Sequence, residues 1–445
     1  MTPSRFDYGR AMPIFALTFV DVLGLTIILP LLHLYGAVFN ATPLQIGLIA
    51  AAFPLAQLIG VPIMGALSDR FGRKPLLLFS QITTCLSFLL LAAANSLELV
   101  ILSRLIDGLF GANLATAQAA ISDITDEKTR TQGLGLTGAA FGLGFLFGPA
   151  ISLFSLEFSP SLATPALIAA AYSFLSILLT LFMFRETLPP ERRGRAKARG
   201  LALIFTAARM IRRPHLNVLL VFMFMQQFIF FAFESLLGLF ILSRLGLLGQ
   251  GSALIFIYVG FILVFVQVRL IGRWSRRYGE RRLVWIALAA LAGGLLLLSA
   301  TPDQPHPLYV QRIVERDLRA LTPDTTESII GDIPITLPPD SQRGFGGLLW
   351  FLVALIPITV GAGLIRPALN SLMLQRASPG ETGAVLGVSA SFVSLADAFA
   401  PLAGGLIFQQ FGASAPFLAG GLLMTVLFIV SLAVLRQPAA EQAPA

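Results

Sequence analysis

The feature that most constrains this chain is a series of apolar runs, each close to the length of a bilayer-crossing helix and separated by short turns. About 20 mainly apolar residues span the hydrocarbon of a membrane. Lipid offers no partner to a bare N–H or C=O, so a run of that length crosses as a helix, which satisfies its own backbone. Runs interrupted by Gly, Pro or charge cover 11–37, 44–67, 76–94, 97–121, 132–154, 164–184, 216–242, 252–272, 283–300, 347–372, 383–408 and 415–435. They predict an all-α polytopic membrane protein with twelve transmembrane helices.

Composition excludes the soluble alternatives. The 445 residues are 56% hydrophobic and 12% charged, with mean hydropathy +0.82, too apolar for a chain that covers its surface in water. Arg5 and Arg10 precede the first run as in a secretory leader. That run is long, carries Asp21 and lacks a small-x-small cleavage site, so it is expected to be retained as the first helix. The single Cys85 excludes an intramolecular disulfide, and His33, His215 and His306 have no metal-ligand spacing. No nucleophile–base pair or phosphate cradle occurs, so neither a cofactor nor enzymatic chemistry is expected.

A net charge of +8 would suggest nucleic acid in a soluble protein, but here the cations alternate between loops. With both termini in the cytoplasm, cytoplasmic segments hold 24 of the Lys and Arg residues and the opposite face five. This asymmetry reports orientation through the positive-inside rule and predicts cytoplasmic termini in an inner (plasma) membrane. The lipid bilayer is the expected partner, nucleic acid is not, and a monomer is expected.

An internal repeat divides the chain. Gly65-Ala-Leu-Ser-Asp69-Arg70-Phe-Gly72-Arg73-Lys74-Pro75 matches Gly272-Arg-Trp-Ser275-Arg-Arg277-Tyr-Gly279-Glu-Arg281-Arg282 at a separation of 207 residues. Gly148-Pro149 matches Ala400-Pro401 at 252, so 45 extra residues, 301–345, interrupt the second copy. The organisation read from this is an N-terminal six-helix unit 1–184, a cytoplasmic linker 185–215 and a C-terminal six-helix unit 216–445 carrying an extracytoplasmic insertion. The Arg-rich linker either lies on the anionic leaflet or is simply solvated. In the insertion, Val310, Ile313, Val314, Leu318 and Leu321 at helical spacing predict a short amphipathic helix, followed by the Pro-rich stretch 323–339. A lid, a docking site and an inert elaboration all remain open for it.

Ionisable groups inside a membrane cost several kcal/mol and normally mark a pathway. Asp21, Arg104, Asp107, Glu234 and Arg366 lie on predicted spans 1, 4, 7 and 10, and Asp397 on span 11. Arg104 and Asp107, three apart, share a helix face and are expected to pair, either to tune a site or merely to neutralise each other. Phe53, Gln57, Asn113, Gln118, Phe224, Gln226, Gln227, Phe230, Phe231, Phe233 and Asn370 could line a pocket among them, although each also serves as ordinary packing. With 36 Phe against 3 Trp and 6 Tyr, the interior favours amphipathic organic molecules over sugars.

The run Gly65 to Pro75 closely resembles the signature loop of the major facilitator superfamily, with Asp69, Arg70, Gly72 and Arg73 at its characteristic positions and Lys74 following. The resemblance implies a charged loop that latches the two halves on the cytoplasmic side, and a central cavity lined by helices 1, 4, 7 and 10. Arg104-Leu-Ile-Asp107-Gly108 is similar to the family's fourth-helix motif. Gly144-x-x-x-Gly148-Pro149 resembles the fifth-helix motif of exporting antiporters, with Ser152 where a further Gly is usual. Independently of family, these glycines permit close helix approach and Pro149 permits bending.

Together with Asp21-Val-Leu-Gly24, these motifs resemble bacterial tetracycline and multidrug efflux proton antiporters with twelve helices. The resemblance implies export of hydrophobic or cationic small molecules by alternating access, coupled to protons and associated with antibiotic resistance. Where tetracycline exporters carry an acid, a histidine and another acid in helices 3, 8 and 9, this chain has Ser87, Leu263 and the apolar stretch 286–298. Any coupling is then expected at Asp21 and Glu234, with Asp107 and Asp397 as further acids and Arg104 and Arg366 as charge partners. A lipid, metabolite or sugar transporter of the same fold, and a non-transporting receptor or scaffold, are the alternatives.

Overall fold

The computed structural model describes residues 8–125, 130–159, 161–193, 214–320, 337–376 and 382–435. Most of the linker, Arg5, and the Pro-rich stretch before Leu337 fall outside them. The described residues form helices and connecting turns with no strand. In chain order these are α1 (Tyr8–Val38), α2 (Pro43–Phe71), α3 (Arg73–Ala92), α4 (Leu97–Ile124), α5 (Arg130–Phe158), α6 (Ala163–Phe182), α7 (Pro214–Leu245), α8 (Gly249–Phe265), α9 (Ile271–Ser299), α10 (Gln311–Ala320), α11 (Gly346–Gln375), α12 (Thr382–Phe411) and α13 (Ala415–Val434). The expected apolar runs follow this helix order except 252–272, which crosses α8, the turn Val266–Leu270 and the start of α9, and α10 is the amphipathic helix of the insertion.

Ten helical stretches among the described residues are long and apolar enough to cross a membrane. One of them, Gly249–Ser299, joins α8 and α9 through the π-helical turn Val266–Leu270 and bends at Gly279. α5 contributes a shorter apolar stretch, Gly142–Phe158.

Local chemistry sets the helix ends and breaks. Thr42 opens α2 with a capping box: its hydroxyl accepts from Gln45 N at 3.3 Å while Gln45 Oε1 accepts from Thr42 N at 2.8 Å. α1 tightens into a 3₁₀ turn at Leu29–Leu31, around Pro30, before continuing to Val38. α4 breaks at Gly111 and Ala112, where the Gly111 amide turns back to Asp107 O at 2.7 Å.

The end of the bundle where α1 finishes and α2 begins is termed distal, and the end where α1 starts is termed proximal. The first six helices and the remaining ones meet along two seams, α2 with α12 and α5 with α8. Near the distal end of the first seam the backbones touch: Gly47 lies against the Pro401 carbonyl, and Gly405 against Pro43. A side chain at either glycine would occupy the other helix's backbone. Leu44 N donates to Gln409 Oε1 at 3.3 Å across this seam, and Gln250 Nε2 donates to Glu157 Oε2 at 3.0 Å across the other.

The motif in α5 does the work that its small residues suggest. Gly144 lies against Val22 and Gly148 against Thr26, and Thr26 Oγ1 donates to Gly144 O at 2.9 Å, so α1 and α5 are in backbone contact. Pro149 is buried within α5. The insertion folds over the distal end: Asp303 pairs with Arg244, the buried Tyr309 covers Gly246, and α10 packs on the last turn of α1. Gln311 N donates to Asp340 Oδ1 at 3.0 Å, which, with Arg343 at 2.9 Å, holds the Asp340 carboxyl below its ordinary range.

Candidate functional site

Within the first six helices, polar residues from α1, α3, α4 and α6 gather inside the apolar packing. Arg104 Nη1 lies 3.5 Å from Asp107 Oδ2, with both side chains almost fully buried. The expected pair is therefore formed, but it is loose. Arg104 Nε and Nη2 have no hydrogen-bond partner, and the guanidinium sits 5.3 Å from the centre of the Phe88 ring. The Asp107 carboxylate lies beside Thr84 and over Gly111, at the break in α4.

Asp21 lies on the side of α1 that meets α3 and α6. Its carboxylate oxygens are buried without a well-aligned hydrogen bond, beside Gln81 and Ser176. Those two are committed to each other, Gln81 Nε2 donating to Ser176 Oγ at 2.7 Å. A carboxylate in such surroundings is under-satisfied, which is costly for structure alone. Asn113 is buried immediately past the break, its Oδ1 orphaned.

A second group belongs to α7, α11 and α12. Gln227 Nε2 donates to Asp397 Oδ1 at 2.7 Å, and the charge of Arg366 acts on the same carboxylate. Arg366 itself is exposed. Asn370, one turn farther along α11, accepts from Ser389 Oγ at 3.2 Å. Two turns distal to Gln227 on α7, Glu234 lines a cavity of about 40 Å³ between the two sets of helices. Its walls include Phe231, Ser235 and Gly238 of α7, Phe256 of α8, Ala50 of α2, and Leu29, Leu32 and His33 of α1.

Other predicted pocket residues are placed differently. Gln226 is buried and folds back on Met223, donating to its carbonyl at 3.2 Å. Gln57 is half-buried in α2, and Gln118 is exposed on α4. Phe230 packs against Phe233, ring centres 5.7 Å apart, within an aromatic train that continues to Phe417 and Phe240.

The signature loop builds a third cluster at the proximal end. Gly72, at φ 110° and ψ 164°, turns the chain between α2 and α3. Arg73 pairs with Asp69 at 2.7 Å and with Asp123 at 2.9 Å, and donates to Ser68 Oγ at 3.0 Å. Glu186, past the end of α6, receives the Arg73 and Lys74 amides at 2.9 and 3.2 Å and so caps α3. Lys74 Nζ donates to Leu181 O at 2.9 Å, and Arg70 stacks on Phe71. Gly65 has open space around it. These contacts of Arg73 and Lys74 join α2, α3, α4 and α6.

Sequence reasoning passed over Asp123, Glu186, Gln81, Ser176 and His33. The first two announce themselves only as acids next to basic segments. His33 carried a usable signal: an ionisable residue inside an apolar run, whatever its metal spacing.

A family model for the Major Facilitator Superfamily matches residues 14–311. Multidrug resistance protein 2 of Bacillus subtilis (strain 168) is 25% identical over 411 residues, covering 92% of this chain and 90% of that protein. The class B tetracycline resistance protein of Escherichia coli is 28% identical over 366 residues, covering 82% and 88%. Among solved structures, the human organic anion transporter MFSD10 (TETRAN) superposes with a TM-score of 0.66 at 23% identity, over 96% of this chain and 100% of that one.

Proposed function

Since the chain belongs to the major facilitator superfamily, we propose that it is a proton-coupled exporter of hydrophobic or cationic small molecules that works by alternating access. In this reading it crosses an inner membrane twelve times with both termini cytoplasmic and functions as a monomer. Two six-helix halves, 1–184 and 216–445, move against each other about the two seams. In the same reading the distal end, near which Gly47 meets Pro401 and Gly405 meets Pro43, faces outward. The bilayer and the transported molecule are its partners, and it performs no enzymatic reaction.

The observation that carries this reading is Glu234, a carboxylate of one half lining a cavity that the other half closes. An acid at that position can hold a proton in one state and yield to a cationic substrate in the other. The cavity walls combine the apolar Leu29, Leu32, Phe231 and Phe256 with the polar His33 and Ser235. Asp397, bonded to Gln227 and influenced by Arg366, is a second acid on the same side. Asp21, with Arg104 and Asp107, provides a separate buried group in the first half. The kinship with multidrug and tetracycline resistance proteins supports export as the direction.

Reconstitution into proteoliposomes with an imposed pH gradient tests the proposal on a panel containing ethidium, tetracycline, a nucleoside and an organic anion. Gradient-driven movement of ethidium or tetracycline is expected. Glu234→Gln should reduce it at least about tenfold, the effect of roughly 1.4 kcal/mol on a rate-limiting step. Asp21→Asn, assayed separately, decides whether the first-half acid takes part. Unchanged flux in Glu234→Gln removes that residue from coupling, and no gradient dependence for any compound removes coupling altogether.

A further inference from the structure

The cavity that holds Glu234 is closed on its other side by His33, a residue that neither family motif nor charge pairing points to. His33 is 3% exposed, and its Nε2 has no hydrogen-bond partner among the described residues. A buried imidazole nitrogen left unsatisfied is costly unless something shares it. One edge of the ring packs on Gly238, where any side chain would overlap it, so the glycine fixes the imidazole against α7. Gly238 and Glu234 are one helical turn apart and share the face of α7 that also presents Phe231 and Ser235. On α1, His33 follows the 3₁₀ turn at Leu29–Leu31, and Leu29 and Leu32 form the rest of that wall.

We propose that His33 and Glu234 form one proton-binding site shared between the two halves. The inference rests on the reading of Glu234 as a coupling acid and adds its partner. A proton moves from the Glu234 carboxyl to His33 Nε2, leaving a carboxylate and an imidazolium, and the reverse step restores the neutral pair. A cavity of about 40 Å³ admits a water, so transfer can be direct or through one bridging molecule. With one proton, the pair offers a donor to an acceptor and bridges α1 to α7. With none, as long as the one imidazole N–H stays on Nδ1, the edge packed on Gly238, the Nε2 lone pair faces a carboxylate and no bridge forms, and with two, both groups are donors. Single occupancy therefore holds the distal end closed, and either change of occupancy loosens it.

Among the described residues, α10 packs on the last turn of α1 and carries Arg312, Glu315, Arg316, Asp317 and Arg319, and α4 meets that turn with Arg104. Asp397 of α12 acts on Glu234 through space, and Arg366 of α11 acts on Asp397. α2 and α8 contribute only Ala50 and Phe256, and Tyr35, farther along α1, turns its hydroxyl away to Leu162 O at 2.7 Å.

Spin labels at Leu48→Cys and Gln410→Cys, in a Cys85→Ser background, report the separation of α2 and α12 at the distal end from pH 5 to 9. The wild-type pair is expected to populate a short distance at intermediate pH and a longer one outside it. Glu234→Gln should abolish this dependence, and His33→Asn and His33→Gln should each move its midpoint by about one pH unit or more. If both histidine variants match wild type while Glu234→Gln abolishes the response, the shared site falls and the coupling role of Glu234 stands. If Glu234→Gln also matches wild type, both fall. A measurement on the native histidine closes the test: the carbonyl infrared band of protonated Glu234, assigned by its loss in Glu234→Gln, should lie below that of a free acid. A free-acid frequency overturns the sharing.

Discussion

The two copies of the proximal loop share a backbone and differ in the sign of their charges. Gly72 has φ 110° and ψ 164°, and Gly279, its counterpart 207 residues on, has φ 75° and ψ 159°. Arg70 lies 5.3 Å from the Phe71 ring centre, and Arg277 lies 5.5 Å from that of Tyr278. Ser68 accepts from Arg73 at 3.0 Å, whereas at the same two positions Ser275 donates to Glu280 at 2.6 Å. The cation of the first copy is an acid in the second, and Arg276 stands where Asp69 stood. The architecture thus selects the turn, the stacked ring and the serine bridge, and leaves the polarity of the bridge free. Among the described residues, the first copy is the one with acids brought in from other segments, Asp123 of α4 and Glu186 beyond α6, to fix it to its own half.

If those acids make the difference, removing the first-copy cation should have the largest effect. Arg73→Met leaves Asp69 and Asp123 facing each other around a site that is 5% exposed at the arginine. Breaking a buried pair in this way costs about 3–5 kcal/mol. Thermal unfolding in detergent should show that loss, and a cost below about 1 kcal/mol would mean that the acids are held by something else. The turn itself comes next. Gly72 and Gly279 share a backbone region that essentially only glycine occupies, at about 1–3 kcal/mol for another residue. A side chain at Gly72 would in addition meet the Glu186 carboxylate, while Gly279 has open space around it. Gly72→Ala is therefore expected to cost more than Gly279→Ala in the same measurement. Equal costs would reduce the comparison to backbone strain alone.

The shared turn was legible in the sequence, because a repeat at constant offset implies a repeated backbone. The all-helical fold and the family were legible for a similar reason: bilayer length and the Gly65–Pro75 motif are local patterns. The Arg104–Asp107 pair followed from its three-residue spacing. What escaped was contact between residues that only packing brings together. Gln81 and Ser176 reach Asp21 because α6 packs on α1 and α3 packs on α6, and nothing local to Asp21 announces them. Glu186 caps α3 from beyond the end of α6, and no capping rule looks that far along a chain. Metal spacing says nothing of His33, because an isolated histidine lacks such spacing whatever it faces.

The smallest effect is expected where the comparison can be sharpened most, by giving the second copy the charges of the first. In Arg276→Asp with Glu280→Arg, the serine bridge at Ser275 keeps a partner, since a guanidinium donates to a hydroxyl as readily as a carboxylate accepts from one. Arg276 is exposed and Glu280 half-buried, and pairs in such surroundings contribute about 0–1 kcal/mol. The double variant should therefore unfold within about 1 kcal/mol of the parent, as a surface pair would. A larger loss would show that the second loop, too, depends on the sign of its charges, held by a partner yet to be identified. A near-neutral result would confine the need for a fixed charge sign to the first copy, which Asp123 of α4 and Glu186 beyond α6 hold in place.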